Sequence, residues 1–134
     1  MAASTIEEAV HTYALADANI TGVVGNRVFF AEAEENATLP YIYYFAVSDP
    51  HEPFAFGETA SGQVRMQFTG VAADRYVALD LGHKIIDRFH LIGGTTMDGI
   101  TVEYVKCTGP ITLKAPDQDV FQVIVDAMIV YQEP

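Results

Sequence analysis

A strand followed directly by a helix, near the middle of the chain, constrains the fold more than any other feature. From Gly62 to Thr69, apolar and polar side chains alternate, which is typical of a strand with one buried face. After a short break, apolar residues recur from Asp74 to His90 at spacings of three and four, the pattern of an amphipathic helix. We therefore expect this helix to fold back over the sheet that contains the strand.

The composition predicts one folded domain that spans residues 1–134. Half of the 134 residues are hydrophobic, so the chain can bury a core without disulfide bonds or metals. The single cysteine, Cys107, excludes an internal disulfide and favours a reducing compartment. No apolar run approaches the ~20 residues that span a bilayer, and the first residues lack the features of a secretory signal. We therefore expect a soluble protein with no membrane partner.

The charge is strongly acidic, since eighteen acidic residues and seven basic ones give a formal net charge of −11. Proteins bind the phosphates of nucleic acids through Lys and Arg, so this balance argues against a surface that binds DNA or RNA. Two interpretations remain open. The acid either keeps the protein soluble and discourages random association, or lets it lie near DNA without adhering to it. Composition by itself favours the first.

The flanking segments add one helix and four strands. Ser4 and Glu7 form a capping-box pattern, which predicts that the first helix runs from about Thr5 to Ala16. A further helical turn is expected between 20 and 24, and residues 109–117 have the composition of a long connection. The order α-β-β-β-α-β-β predicts an α+β fold, a mainly antiparallel sheet with two helices packed on one face. The other strands are predicted at Arg27–Phe30, Tyr41–Ser48, Ile100–Cys107 and Val120–Tyr131.

Two of the predicted strands carry apolar residues on both faces. In Val120–Tyr131, the odd-numbered positions suit a helix-covered face, whereas the even-numbered face is mixed rather than polar. Tyr41–Ser48 is apolar or amphipathic on both faces. A monomer rarely exposes this much apolar surface, so the pattern favours assembly into an oligomer. The candidate residues for contact between subunits are Tyr44, Ile124, Met128 and Val130.

A long loop between Asp49 and Ser61 contains two aromatic residues, Phe54 and Phe56. The loop exceeds the ~2–5 residues of a usual hairpin connection. The two phenylalanine side chains either fold back onto the domain or lie on a protruding arm that contacts a neighbouring ring of subunits. Both interpretations remain open from the sequence.

No recognised catalytic motif is present, since the sequence lacks nucleophile-elbow, zinc-protease, P-loop and dinucleotide-binding patterns. Ser48, Asp49 and His51 are the residue types of a hydrolytic triad, but neighbours along one loop rarely adopt that geometry. Cys107 lies in a predicted strand, where a buried thiol is more common than a nucleophile. We therefore predict no catalytic residue.

The second helix offers one candidate metal site. Four potential ligands for zinc or a similar ion share one helix face at spacings of three and four. The solvated face of an amphipathic helix has the same pattern, and Lys84 lies beside it. We favour the interpretation as a solvated helix face, so we predict neither a metal site nor a cofactor. The four residues are Asp80, His83, Asp87 and His90.

Four segments, in order along nearly the whole chain, resemble the tail-completion or tail-terminator proteins of long-tailed bacteriophages and phage-like particles. They are the turn into a strand at 24–29, the Leu-Pro-Tyr strand entry at 39–44, the central strand at 64–68 with its helix, and the closing strand that begins at 121. The Glu32–Glu35 connection and the Asp49–Ser61 loop depart from the family's usual lengths and charges. The resemblance therefore leaves the position within the head–tail interface open.

The resemblance implies a structural virion protein, not an enzyme, that is assembled in the host cytoplasm. Such proteins form a ring, usually a hexamer, that contacts the tail tube protein, terminates the tube and joins it to the head–tail connector proteins. DNA passes through the lumen without specific binding, and a lumen lined with carboxylates would repel its phosphates. One alternative is an adaptor or stopper of the connector. Another is a small oligomeric domain that binds a metabolite, supported only by the His83 cluster and the Asp49–His51 loop.

Overall fold

The computed structural model describes residues 5–33, 37–47, 61–114 and 120–132. These residues form three helices and one six-stranded sheet, so the expected α+β class is confirmed. The helices are α1 (Ile6–Leu15), α2 (Ala18–Val24) and α3 (Arg75–Phe89). The strands are β1 (Val28–Phe30), β2 (Tyr41–Ala46), β3 (Ser61–Ala72), β4 (Thr95–Met97), β5 (Ile100–Lys114) and β6 (Phe121–Gln132).

The strands lie in the order β1-β2-β3-β6-β5-β4. All neighbouring pairs are antiparallel except β1 and β2, which are parallel at one edge of the sheet. The expected element order needs two additions, the separate helix α2 and the strand β4. β4 has three residues, too few to show a periodicity. It forms a hairpin with β5 across Asp98 and Gly99, whose positive φ angles suit a two-residue turn.

The central strand and helix pack together as the sequence predicts. Phe68 of β3 lies between Tyr44 of β2 and Val125 of β6 in one row across the sheet. α3 covers this row, and the ring of Phe89 lies 4.9 Å from the ring of Phe68. The carboxylate of Asp74 accepts hydrogen bonds from the first main-chain N–H groups of α3 and so fixes where the helix begins.

α1 begins one residue later than the capping-box pattern suggests. The hydroxyl of Thr5, not that of Ser4, accepts a hydrogen bond of 3.2 Å from the main-chain N–H of Glu8. Ser4 lies outside the described residues. Farther along, Arg88 of α3 lies over the ring of Tyr13, with its guanidinium carbon 3.6 Å from the ring centroid, and donates to the Tyr13 main-chain oxygen. These contacts tie α1 to α3 on the same side of the sheet.

β5 is longer than predicted, because the Gly109–Pro110 pair does not end it. Thr108 lies opposite Asp126, but the next paired residue, Ile111, lies opposite Ile124, so one extra residue is inserted in β5. Such a bulge accommodates proline, which has no N–H to give to the ladder. The strand then continues to Lys114, where the sequence suggested a loop.

Candidate assembly surfaces

The side of the sheet opposite the helices is here called the open face. Buried residues from all three helices form one core cluster with the other side of the sheet. The register places Tyr43, Thr69, Ile124 and Ile111 in one row across the open face, one residue each from β2, β3, β6 and β5. Two members of the row are isoleucines, and the other two, a tyrosine and a threonine, each carry one hydroxyl group. The expected apolar second face of the sheet therefore exists.

Large apolar side chains are exposed on the open face along β5. Tyr104, Ile111 and Leu113 are 44%, 57% and 46% exposed. Sequence reasoning missed Ile111 and Leu113 because it assigned them to a loop, although their alternation with threonine and lysine is a strand signal. Three side chains this large, all exposed on one strand, are unusual for a monomer's surface.

Three of the four residues expected at contacts between subunits lie on the open face. Ile124 and Met128 are half-buried there, and Val130 is buried beside Tyr104. Their contact with another subunit stays a prediction.

Tyr44 does not lie on the open face with these three residues, and its contact with another subunit stays a prediction. It pairs with Phe68, so it lies on the helix side, where it is fully buried. Its hydroxyl donates to the main-chain oxygen of Glu7. Because successive residues of a strand point to opposite faces, Tyr43 rather than Tyr44 reaches the open face.

A charged group interrupts the apolar surface at the centre of the open face. The guanidinium of Arg65 forms an ion pair with the carboxylate of Asp126 at 2.8 Å. Lys106 and Thr108 lie beside them around a shallow depression of about 350 Å³. The second carboxylate oxygen of Asp126 is buried and has no hydrogen-bond partner within the described ranges. An exposed pair of this kind contributes at most about 1 kcal/mol to folding, so its main effect is on orientation in a contact.

On the helix side, α1 and β1 enclose a groove of about 780 Å³, here called the acidic groove. Three acidic residues, Glu7, Glu8 and Asp98, line it. Phe30, which is 53% exposed, and the buried ring of Tyr44 form its apolar part. Burial raises the pKa of the Tyr44 hydroxyl well above its ordinary value, and the negative charges of Glu7 and Glu8 raise it further. The groove combines an aromatic wall with negative charge.

Local hydrogen bonds occupy three outer main-chain groups of β1, next to the groove. The main-chain oxygen of Val28 accepts from His11 Nε2 at 3.0 Å, and its N–H donates to the oxygen of Asn26. The oxygen of Phe30 accepts from the N–H of Glu32. An incoming strand would have to displace these bonds. The groove is therefore suited to side-chain contacts rather than to the addition of a strand.

The four candidate metal ligands of the second predicted helix do not converge. His83 and Asp87 are exposed on α3, and Asp80 pairs with Lys84. His90 ends the helix, and its Nδ1 accepts a hydrogen bond of 3.0 Å from the main-chain N–H of Cys107. In the part of the chain that the structure describes, no group of three His, Cys, Asp or Glu residues is placed to hold a metal ion.

The candidate nucleophile and the two loop candidates have different outcomes. Burial raises the pKa of the Cys107 thiol to about 12, which keeps it protonated and unreactive near neutral pH. Ser48, Asp49 and His51, as well as Phe54 and Phe56, lie outside the described residues.

No helix among the described residues is long and apolar enough to cross a membrane.

Comparisons with known proteins find a likeness among solved structures. No family model and no curated protein matches the sequence. Among solved structures, the fold is similar to that of a chain in the virion of a native gene transfer agent particle. The two chains share 12% sequence identity with a TM-score of 0.75, and the match covers 95% of this chain and 94% of the other. At this identity the likeness establishes a common fold over almost the full length of both chains.

Proposed function

We propose that this chain is a structural protein of a phage-like virion, in which six copies form a ring that terminates the tail tube and joins it to the head connector. The observation that carries the proposal is the fold likeness to a chain of a gene transfer agent virion, at a TM-score of 0.75 over nearly all of both chains. The four sequence segments that resemble tail-terminator proteins support the specific position at the end of the tube.

The open face is the surface through which subunits meet in this proposal. It carries Tyr104, Ile111 and Leu113 with large exposed fractions, and it surrounds them with half-buried apolar residues. Burying this surface in a ring removes apolar area from water, at roughly 25 cal/mol for each Å². The Arg65–Asp126 pair at its centre then orients the contact. Ring formation buries apolar surface that a monomer leaves exposed.

DNA passes through the ring in this proposal, and the distribution of charge decides which surface lines the lumen. The centre of the open face carries two cations and one carboxylate, Arg65, Lys106 and Asp126. It therefore lacks the excess of carboxylates that repels phosphates. The exposed carboxylates Asp80 and Asp87 lie on α3, on the other side of the sheet. We assign the open face to subunit contacts. We assign a more acidic surface, such as the part of α3 that carries Asp80 and Asp87, to the lumen.

The test measures assembly of the purified protein alone and with purified tail tubes. Mass photometry gives the number of subunits, and negative-stain images show whether a central hole is present and whether particles sit at tube ends. We expect rings with a hole, or rings that form when tubes are added, with one ring at one end of each tube. Compact dimers with no affinity for tubes would contradict the proposal. Binding to the head connector without binding to tubes would favour the adaptor or stopper.

A matched pair of tyrosine variants separates assembly from folding. Tyr104→Asp places a charge on the open face, and Tyr76→Asp places the same charge on α3, where Tyr76 is 73% exposed. We expect Tyr104→Asp to fold with an unchanged circular dichroism spectrum and to lose rings and tube capping. We expect Tyr76→Asp to retain both. Equal assembly by the two variants would show that the open face is not the contact.

A further inference from the structure

Four residues of β5 form a stripe on the open face that is both apolar and positively charged. Tyr104, Lys106, Ile111 and Leu113, with Thr108 between them, lie opposite the open-face residues of β6, from Val130 to Gln122. The inserted residue near Pro110 is what keeps them aligned, because it shifts the alternation from even to odd positions. All four are exposed, and none carries a negative charge. This set is the β5 stripe.

Lys106 is the cation of this stripe. The side chain of Lys106 is exposed. The ion pairs among the described residues are Arg65–Asp126 and Lys84–Asp80, and neither includes Lys106. The neighbouring Arg65 is already paired with Asp126. In a chain of net charge −11, an exposed lysine among large apolar side chains is a distinctive local combination. Its natural complement is an apolar surface with carboxylates at its rim.

The acidic groove is such a surface. Glu7, Glu8 and Asp98 line it, and the half-exposed ring of Phe30 supplies apolar area. Its described lining contains no Lys or Arg. Since the stripe and the groove share no residue, a contact between them joins two different surfaces of the subunit. Such a contact is heterologous and propagates from one copy to the next, as a ring requires.

We infer that the β5 stripe of one copy docks into the acidic groove of the next copy, with Lys106 facing the carboxylates of Glu7, Glu8 and Asp98. The occupant of the groove is a second copy of this chain. The aromatic and aliphatic side chains of the stripe pack against Phe30, and the charges fix the direction of the contact. The inference rests on the proposed function for closure into a ring, and it names the two surfaces that the ring joins.

A charge exchange tests this contact in the full chain. Lys106→Glu and Glu8→Lys each place like charges together, and the double variant restores an opposite pair. We expect each single variant to raise the concentration needed for half-maximal assembly at least tenfold, and the double variant to return it to within about threefold of the wild type. Lys84→Glu, on α3, makes the same change of charge as Lys106→Glu away from the stripe and is expected to assemble like the wild type.

The outcomes separate this inference from the proposed function. Wild-type rings together with single variants that assemble normally would overturn the contact and leave the ring intact. Loss in both single variants without recovery in the double variant would also overturn it, because the two residues would then not face one another. Should the wild type fail to assemble alone or at tube ends, both the contact and the proposed function are wrong. Thermal unfolding of every variant confirms that assembly, not folding, is being compared.

Discussion

The hydroxyl of Tyr44 donates a hydrogen bond of 2.7 Å to the main-chain oxygen of Glu7 and so joins β2 to the first turn of α1. The ring of Tyr44 also lies 5.7 Å from that of Phe68 in the core row of the sheet. One side chain therefore anchors α1 on the sheet and forms a wall of the acidic groove. The position of Glu7 and Glu8 along the groove depends on this anchor.

Replacing Tyr44 with Phe removes this hydrogen bond while keeping the ring. Because a part-buried hydrogen bond between β2 and α1 is lost, we expect the free energy of unfolding to fall by about 1 kcal/mol in urea denaturation. Tyr43→Phe is the control, since the Tyr43 side chain lies on the open face and no hydrogen bond of its hydroxyl occurs among the described residues. The control is expected to change stability by less than about 0.5 kcal/mol. Equal losses in both variants would refute the anchoring role.

Two helical glycines should respond oppositely to alanine. A Cβ on Gly82 of α3 would lie 2.5 Å from Cγ2 of Val123 and 3.0 Å from Cβ of Pro110, so Gly82→Ala should destabilise the fold by about 1–3 kcal/mol. A Cβ on Gly22 of α2 meets nothing within 4 Å. Gly22→Ala should therefore stabilise the protein by about 0.5–1 kcal/mol through helix propensity. Thermal unfolding measures both, and a stable Gly82→Ala would show that α3 is not closely packed on β6.

His90 has a structural role that His83 lacks. Its imidazole accepts a hydrogen bond from the Cys107 main-chain N–H, a donor that faces away from β6 at the edge of β5. His90→Ala should leave that donor unsatisfied and lower the free energy of unfolding by about 1–2 kcal/mol. His83→Ala, on the exposed face of α3, should stay within about 0.5 kcal/mol of the wild type. Similar losses in the two variants would contradict the assignment.

Cys107 should resist alkylation until the protein unfolds. Its pKa is raised by burial from 9.0 to about 12, so the thiolate fraction at pH 8 is roughly a thousandfold lower than in the unfolded chain. We expect iodoacetamide to react at pH 8 at a rate that rises at least a hundredfold in urea. Rapid labelling of the folded protein would show that the thiol is accessible.

The same pKa shift gives the sign of an alkaline effect on stability. Folding favours the neutral thiol, so its contribution is complete below pH 9 and is lost as the pH rises towards 12. The raised pKa of Tyr44 acts in the same direction. The free energy of unfolding should therefore decrease above pH 9, and Cys107→Ala should show a smaller decrease. An unchanged decrease in that variant would assign the effect to Tyr44 and other groups.

The long periodic elements were predictable, and the short or ambiguous ones were not. The alternation in β3 and the helical spacing in α3 extend over enough residues to reveal the buried face of each. β4 is too short for any period, and the Gly109–Pro110 pair resembles the end of a strand unless the partner strand can absorb a bulge. The stripe on β5 depends on that bulge, so the sequence does not reveal the stripe without the register between β5 and β6.

The sequence by itself determined the α+β class, the central strand–helix unit and the presence of apolar residues on both faces of the sheet. These follow from periodicity, which is a local property of the chain. Only the tertiary structure decided which face of β2 is buried. Alternation requires Tyr43 and Tyr44 to point in opposite directions, but both are tyrosines, and only pairing with β3 places Tyr44 beside Phe68 in the core. The acidic groove likewise exists only because α1 and β1, which are separate segments of the chain, are packed side by side.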